Sequence, residues 1–431
     1  MANPVNPPRG MRDFLPADKA RREHALGIIR GVYRSHGFDE IETPVVEDHA
    51  RLHSGLGGDN EKLSFSILKR GIKPEALAAA AEAGDPEQLA DLGLRFDLTV
   101  PLARFYASHR AELPPVFRSI QIAPVWRAER PQKGRYRQFV QADIDIIGES
   151  SVIAEIELIT ATSQVLAQLG LKDCVIRVND RRILFGLLDH CGFAPEEQAG
   201  ALITVDKLDK IGVDGVTAEL AETNETAAAA MRGILEGVDQ ALAAGIPVTR
   251  EAIAAVLPAG AAEDGVASLV TLGEALDGGL PEGVEIRFDP TLVRGMGYYT
   301  GTIFEIAHPG SGSSVGGGGR YDGMIGRFLG QDVPAVGFSI GFERVVDLIE
   351  LDTSSGPAAV ALVADADTPL DDLMTLKRAL VADGLRVRLE KRQKNMKTLL
   401  ARLETEGFQR FASVRPGDRD AAALSWRELG E

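Results

Sequence analysis

Hydrophobic and polar positions alternate along this chain with two periods, which predict helices in some regions and strands in others. A helical period predicts a helix over residues 17–35, with one apolar face made of Ala25, Ile28, Ile29 and Val32. Alternation with a period of two predicts strands over residues 38–47, 93–101, 119–127 and 136–147. Because the strands of 119–127 and 136–147 flank a short turn, we expect them to form a hairpin.

The second half of the chain also contains both helical and strand-like patterns. A helix is predicted over 152–169 and a strand at about 175–178, and residues 180–280 are alanine-rich with a helical period, which predicts a helical accessory region. A β-rich block begins at 285 and ends in a strand that leads into a helix running to about 350. Residues 351–357 have the composition of a linker, and 358–431 alternate strand and helix, which predicts a small α/β domain with parallel strands.

Composition places the chain among globular proteins. Of its 431 residues, 45% are hydrophobic and 26% charged, and no apolar run is long enough for a membrane helix. The N-terminus has no signal-peptide pattern, so we expect a cytoplasmic protein without membrane contact. Two cysteines are too few for a disulfide framework, and no Cys/His spacing predicts a metal site.

Charge changes sign sharply in the predicted hairpin. The chain carries a net charge of −16, yet residues 117–138 contain six cations against Glu129 alone. Arginine side chains can each hold two phosphate oxygens, so this segment predicts an anion site. Taken alone, these charges favour a solvated basic hairpin. The nearby acids Asp97, Glu129, Asp143 and Asp145 shift the balance toward a site that takes a zwitterion together with a phosphate.

Three further patterns follow in the β-rich block. Arg294-Gly-Met-Gly-Tyr-Tyr299 joins an arginine, small residues and two phenols, and Gly316–Gly319 is either a flexible loop or backbone packed against a ligand. Gly341-Phe-Glu-Arg344 opens a helix with another arginine. Each pattern alone is weak.

Together these segments resemble the class II aminoacyl-tRNA synthetases in their histidine-specific form. The stretch Trp126-Arg-Ala-Glu-Arg-Pro-Gln-Lys-Gly-Arg-Tyr-Arg-Gln-Phe139 resembles motif 2, residues 38–47 resemble motif 1, and residues 337–344 resemble motif 3. Pro8-Arg-Gly-Met-Arg-Asp-Phe-Leu-Pro16 and the Arg-Gly-x-x-Tyr-Tyr pattern at Arg294 are similar to signatures of the histidyl-tRNA synthetases.

The resemblance implies a fold and an organisation. The expected class is α/β (α+β), with an antiparallel-sheet catalytic domain over residues 1–350 that carries the helical insertion at about 180–280. The linker 351–357 would lead to an α/β anticodon-binding-like domain over 358–431. The family also implies a homodimer.

The implied activity is that of a histidine–tRNA ligase, which joins L-histidine to ATP as histidyl-adenylate and transfers the histidyl group to the 3′ end of tRNA(His). Arg127 and Arg294 would be catalytic, bridging the carboxylate and the α-phosphate. ATP, with Mg²⁺ on its pyrophosphate oxygens, would be bound by Arg127, Glu129, Arg135, Phe139 and Arg344. Histidine would be bound by Asp97, Thr99, Gln141, Asp145, Tyr298 and Tyr299. Gln132 and Lys133 would lie near the tRNA acceptor end.

Two departures from the family keep other functions open. Gly297 stands where the family usually has an acid, and the C-terminal domain is short. The alternative is a non-charging paralogue that serves as the regulatory subunit of ATP phosphoribosyltransferase. The intact motif 2 hairpin, Arg294, Arg344 and the presence of a C-terminal domain favour charging. A non-specific RNA-binding α/β protein is a third reading, for which opposed carboxylates and tyrosines would be superfluous.

Overall fold

The computed structural model describes residues 5–53, 63–132, 134–260, 262–294, 297–350 and 358–430. These residues form two compact units, one from residues 5–13 and 22–350 and the other from 14–21 and 358–430. The expected linker, residues 351–357, lies outside them. In the part of the chain described, no helix combines the length and apolar character needed to cross a bilayer.

The strands, in chain order, are β1 (Asp39–Glu40), β2 (Val46–Asp48), β3 (Phe65–Leu68), β4 (Ala90–Leu94), β5 (Phe117–Trp126), β6 (Gln138–Ile147), β7 (Cys174–Asp180), β8 (Val284–Phe288), β9 (Thr302–Ala307), β10 (Gly316–Arg320), β11 (Ala335–Gly341), β12 (Ala359–Ala364), β13 (Arg386–Lys391), β14 (Arg410–Val414) and β15 (Trp426–Glu428). The α-helices are α1 (Pro16–Ser35), α2 (His49–Leu52), α3 (Pro74–Ala83), α4 (Thr99–His109), α5 (Ile153–Gln168), α6 (Arg181–Cys191), α7 (Pro195–Val205), α8 (Leu208–Ala221), α9 (Glu225–Ala244), α10 (Arg250–Val256), α11 (Glu263–Leu276), α12 (Asp322–Leu329), α13 (Phe342–Leu348), α14 (Leu370–Ala382) and α15 (Met396–Thr405).

A large sheet forms the centre of the larger unit. Within the described residues it has eight strands in the order β1-β5-β6-β11-β10-β9-β7-β8. The edge pairs β1–β5 and β7–β8 are parallel, and all the pairs between them are antiparallel. The predicted fold class, a mixed α/β protein with a large antiparallel sheet, is therefore confirmed.

One face of this sheet is covered by helices and the other is left for polar side chains. Ala142, Ile144 and Ile146 of β6 are buried in one hydrophobic core with apolar residues of α1, α5 and α11. Because side chains alternate along a strand, Gln141, Asp143 and Asp145 lie on the opposite face. Because helices bury the apolar face of β6, its polar residues lie on the other face of the sheet.

Helices α6 to α11 occupy the chain between β7 and β8. Their buried side chains include Leu184, Leu188, Met231 and Leu235, which share a hydrophobic cluster with α4 and α12. The alanine-rich, helically patterned stretch is thus α-helical in the structure, with an apolar side packed on the larger unit.

Two predicted strands differ from the structure. Residues 93–101 were expected to be one strand, but β4 ends at Leu94 and α4 begins at Thr99. The Val100 amide donates to Asp97 Oδ1 at 3.2 Å, and this side-chain bond satisfies a first-turn amide of the helix. Residues 38–47 contain β1 and the first part of β2, two short strands that belong to different sheets.

The smaller unit has a sheet in the order β13-β12-β14-β15 in its described residues. β13 and β14 pair with β12 in parallel, as predicted. Leu373 and Leu376 of α14 pack on one face of β12, and Leu399 and Leu403 of α15 belong to the cluster on the other face. Near the C-terminus, the antiparallel strand β15 extends this sheet.

Candidate active site

A cavity of about 560 Å³ opens on the polar face of the large sheet. It is bordered by β6, β10 and β11, by the turn after β5 and by the start of α4. Every residue that the resemblance assigned to histidine, to ATP or to catalysis lines this one cavity: Asp97, Thr99, Arg127, Glu129, Arg135, Phe139, Gln141, Asp145, Arg294, Tyr298, Tyr299 and Arg344.

Acidic side chains lie together at one end. Asp97, Asp143 and Asp145 are each at most 4% exposed. Burial raises the pKa of Asp97 to about 6 and that of Asp145 to about 7, and it raises the pKa of Asp143 well above its usual range with a further contribution from the charge of Asp145. Carboxyl groups with pKa values raised by burial in a cleft are candidates for a functional site.

Tyr321 holds one of these acids. Its hydroxyl donates to Asp145 Oδ1 at 2.6 Å, and this bond partly offsets the effect of burial on the pKa of that carboxyl. Tyr321 follows β10, and Asp145 pairs with Gly337 across β6 and β11. Tyr321 follows the glycine run in the sequence, but no role could be predicted for it. Its proximity to Asp145 depends on strand register.

Arginines lie along the rest of the cavity, each held by a different neighbour. The Arg127 Nε donates to the carbonyl of Phe96 at 2.9 Å, and its guanidinium carbon lies 5.2 Å from the centre of the Phe139 ring. Arg344 donates to the carbonyl of Ser314, and Arg135 lies 3.4 Å from the Glu129 carboxylate. These contacts leave guanidinium donors for an anionic ligand.

Arg294 is supported by an acid that the sequence did not indicate. Its Nη1 lies 3.2 Å from Glu305 Oε2, and Glu305 also forms an ion pair with Arg177. Burial alone would lower the pKa of Arg294, but Tyr299 and Glu305 raise it. At Gly297, where the family usually has an acid, an added Cβ would have nothing within 4 Å. Glu305 thus supplies a carboxylate partner for Arg294 in this chain.

The glycine run is a buried strand, so the flexible-loop alternative is wrong. Gly316–Gly319 pair with β9 on one side and β11 on the other. A Cβ at Gly318 would collide with the carbonyl of Gly337, and one at Gly317 would collide with the Arg294 guanidinium. Only glycine lets the sheet and Arg294 pack this closely.

Three polar atoms in the cavity are buried without a hydrogen-bond partner among the residues described. They are Asp97 Oδ2, Gln141 Oε1 and Arg294 Nε. Buried polar atoms cost free energy unless they are satisfied, so unpaired atoms of both polarities in one cavity favour a ligand that carries donors and acceptors.

Of the two residues expected near tRNA, Gln132 is among those that the structure describes. Gln132 is exposed in the turn of the hairpin, where it forms a β-bridge with Arg135, and it does not line the cavity. Lys133 lies outside the described residues. The N-terminal signature borders the same turn, because the Arg137 amide donates to the carbonyl of Gly10 at 2.8 Å.

Residues 10–345 match the family model described as histidyl-tRNA synthetase, which covers the whole of the large sheet and its insertion. The chain belongs to the histidyl-tRNA synthetase family.

Curated relatives from this family align with nearly the whole chain. The histidine–tRNA ligase of Leifsonia xyli subsp. xyli is 66% identical over all of both chains. A "Probable histidine--tRNA ligase" of Tropheryma whipplei is 42% identical over 96% of each chain. The crystal structure of histidyl-tRNA synthetase from Nostoc sp. PCC 7120 superposes with a TM-score of 0.75 at 26% identity, covering 99% of this chain and 95% of the other.

Proposed function

We propose that this protein is a histidine–tRNA ligase that makes histidyl-adenylate from L-histidine and ATP and then transfers the histidyl group to the 3′ end of tRNA(His). The observation that carries the proposal is one cavity with opposite chemistry at its two ends. Buried carboxylates and phenols at one end suit an amino acid, and arginines along the rest suit a nucleotide.

Histidine would occupy the acidic end. Asp97, with its unpaired Oδ2, and Gln141, with its unpaired Oε1, supply acceptors for the α-ammonium group, and Thr99 lies beside Asp97. Asp145 would accept from one imidazole nitrogen while Tyr299 meets the other, with Tyr298 beside them. A site built to satisfy both ring nitrogens rejects side chains that lack them, because its own buried polar atoms would then be unpaired.

Arg127 and Arg294 would act where the carboxylate attacks the α-phosphate. Bringing two anions together costs free energy, and fixed cations offset it most strongly as charge develops in the transition state. The support of Arg294 by Glu305 keeps its guanidinium oriented before the substrates arrive. Arg344 would hold the γ-phosphate, with Arg135 near the phosphates and Glu129 and Phe139 at the adenine.

Mg²⁺ would accompany the nucleotide. It would bind the pyrophosphate oxygens, because phosphate oxygens are ligands that this hard cation prefers. When bound, the ion neutralises charge on the leaving pyrophosphate.

The remaining parts would serve tRNA. We place the hairpin turn, with Gln132 and Lys133, near the acceptor end, and assign residues 358–431 to the anticodon, where Lys391, Arg392, Lys394 and Lys397 form a basic stretch before and within the start of α15. Residues 1–350 would be the catalytic domain, with the helices of about 180–280 as its insertion. We further propose a homodimer that works in the cytoplasm.

Charging of tRNA(His) with labelled histidine by the purified protein tests the proposal against the regulatory-subunit alternative. A ligase yields acid-precipitable histidyl-tRNA that depends on ATP, whereas a regulatory subunit yields none. The retention of Arg127, Arg294 and Arg344 in one cavity and the presence of a C-terminal unit favour the ligase.

A further inference from the structure

A second cluster of ligand-type side chains lies apart from the cavity. His49 begins α2, His53 caps its C-terminus, and Glu87 lies in a short 3₁₀ helix, Pro86–Leu89. None of these three residues lines the cavity described above. One ligand atom from each, two imidazole nitrogens and a carboxylate oxygen, lie within 4.8 Å of one another.

The two imidazoles stack on one side of α2. Their ring centres are 4.0 Å apart with an interplanar angle of 25°, because residues four apart lie on the same side of a helical turn. The Nδ1 of His53 donates to the carbonyl of His49 at 2.9 Å, which leaves Nε2 as the ring nitrogen that faces the cluster. A hydrogen bond from the other ring nitrogen to a backbone carbonyl is the usual way in which proteins fix a metal-binding histidine.

Hydroxyl groups surround the same atoms. The Oγ of Ser66 lies 2.7 Å from Glu87 Oε2 and 3.2 Å from His49 Nε2, and the Oγ of Ser64 lies 2.9 Å from His53 Nε2. The cluster therefore has polar neighbours that can bond to a metal-bound water or to the free oxygen of the carboxylate.

We propose that His49, His53 and Glu87 bind Zn²⁺, with water or a serine hydroxyl at the fourth position. Two imidazoles and one carboxylate are ligands that zinc accepts in tetrahedral sites, at bond lengths of about 2.0–2.2 Å, which place neighbouring ligand atoms about 3.3 Å apart. On metal binding, the distance of 2.6 Å between His49 Nε2 and Glu87 Oε2 would increase slightly. The ligand atoms of the cluster, which now lie within 4.8 Å of one another, would move closer together. Glu87 is exposed, so its side chain has room to rotate toward a shared ion.

Such a site would tie together distant parts of the chain. His49 and Glu87 are 38 residues apart, and α3 lies between them, so the metal would hold the α3 segment against α2. Nearby, the carbonyl of Leu63 accepts from the Ala128 amide at 2.6 Å, next to Glu129 of the ATP wall. The metal is thus structural, and its effect on the reaction is limited to supporting that wall.

Zinc titration of the full-length protein tests the proposal. Tag-free protein is stripped with a chelator and dialysed against Zn²⁺, and Co²⁺ is added separately to record the visible bands of a four-coordinate site. We expect one Zn²⁺ per chain in the wild type. Because loss of an outer-shell partner already costs about 10- to 100-fold in metal affinity, His53→Ala, which removes a ligand, should weaken binding by at least about 100-fold. Glu87→Gln should weaken it in the same direction.

His109→Ala is the matched control, since His109 forms a surface pair with Glu112 at 3.2 Å and lies outside the cluster. It should bind Zn²⁺ like the wild type. Melting temperatures without metal check that every variant folds, and added Zn²⁺ should raise the melting temperature of the wild type and the control only. Absence of stoichiometric Zn²⁺ in the wild type, or unchanged binding in both His53→Ala and Glu87→Gln, would overturn the proposal and leave a hydrogen-bonded His–Glu–Ser cluster.

Discussion

Removing the hydroxyl of Tyr321 should weaken histidine binding in a way that depends on pH. In Tyr321→Phe, Asp145 loses the 2.6 Å hydrogen bond that lowers the pKa of its buried carboxyl. The carboxyl must be ionised to accept from the imidazole. A higher pKa therefore leaves less of the binding-competent form near neutral pH.

The size of the effect follows from the strength of that bond. A hydrogen bond to a charged group contributes about 1.5–3 kcal/mol, so its loss should raise the pKa of Asp145 from about 7 to about 8 or 9. At pH 7.5 the ionised fraction would fall from about 0.8 to between about 0.24 and 0.03, which weakens histidine binding about 3- to 25-fold. At pH 9 the same shift leaves a defect of about twofold or less.

Histidine dissociation constants, measured by calorimetry at half-unit steps from pH 6.5 to 9, test this. Taking the ratio of variant to wild type at each pH cancels the titration of histidine itself. Tyr298→Phe is the matched control: it removes a neighbouring phenol, while the bond between Tyr321 and Asp145 remains, so its ratio should not vary with pH. A Tyr321→Phe ratio that is constant across this range would refute the reasoning.

Three further predictions concern the same cavity. Arg294→Ala should slow pyrophosphate exchange by about 100-fold or more while raising the KM for histidine much less, since its charge acts mainly in the transition state; equal losses would contradict this. Gly297→Asp should leave exchange within about twofold and the melting temperature unchanged, because there is space at Gly297 and Glu305 already supports Arg294. Asp145→Asn should melt a few degrees above the wild type at pH 8 and not at pH 5. The folded-state pKa of about 7 lies above the ordinary value, so this carboxyl lowers stability as pH rises from about 4 to 7.

Much of the large sheet could be predicted because its strands alternate and its helices have a clear apolar face. The hairpin of β5 and β6 is the best example, since Ile144 and Asp145 fall on opposite faces by period alone. The segment before α4 was predicted wrongly because its alternation continues past the point where Asp97 receives the Val100 amide and ends the extended backbone. A local side-chain bond there outweighs the pattern.

The cavity was predictable only in part. Motif resemblance names residues that are far apart in sequence, and the sheet brings them together. Tyr321 and Glu305 were missed because their roles depend on strand register and on long-range pairing with Asp145 and Arg294. The pairing of His49 and His53 with Glu87 was missed for the same reason, since 34 residues separate Glu87 from His53.

The smaller unit illustrates a different limit. Its parallel strands have continuous apolar runs, such as β12, that the sequence reveals directly. β15 has only three residues with little burial, and it is a strand because it pairs with the edge of β14. Its formation depends on tertiary contact, which local periodicity does not contain.

Histidine-dependent exchange of labelled pyrophosphate into ATP measures the central claim most directly. The purified protein with Mg²⁺ should catalyse exchange when L-histidine is present and give only background with any other amino acid or with none. A folded protein that binds histidine but shows no histidine-dependent exchange would contradict the assignment of this cavity to adenylate formation.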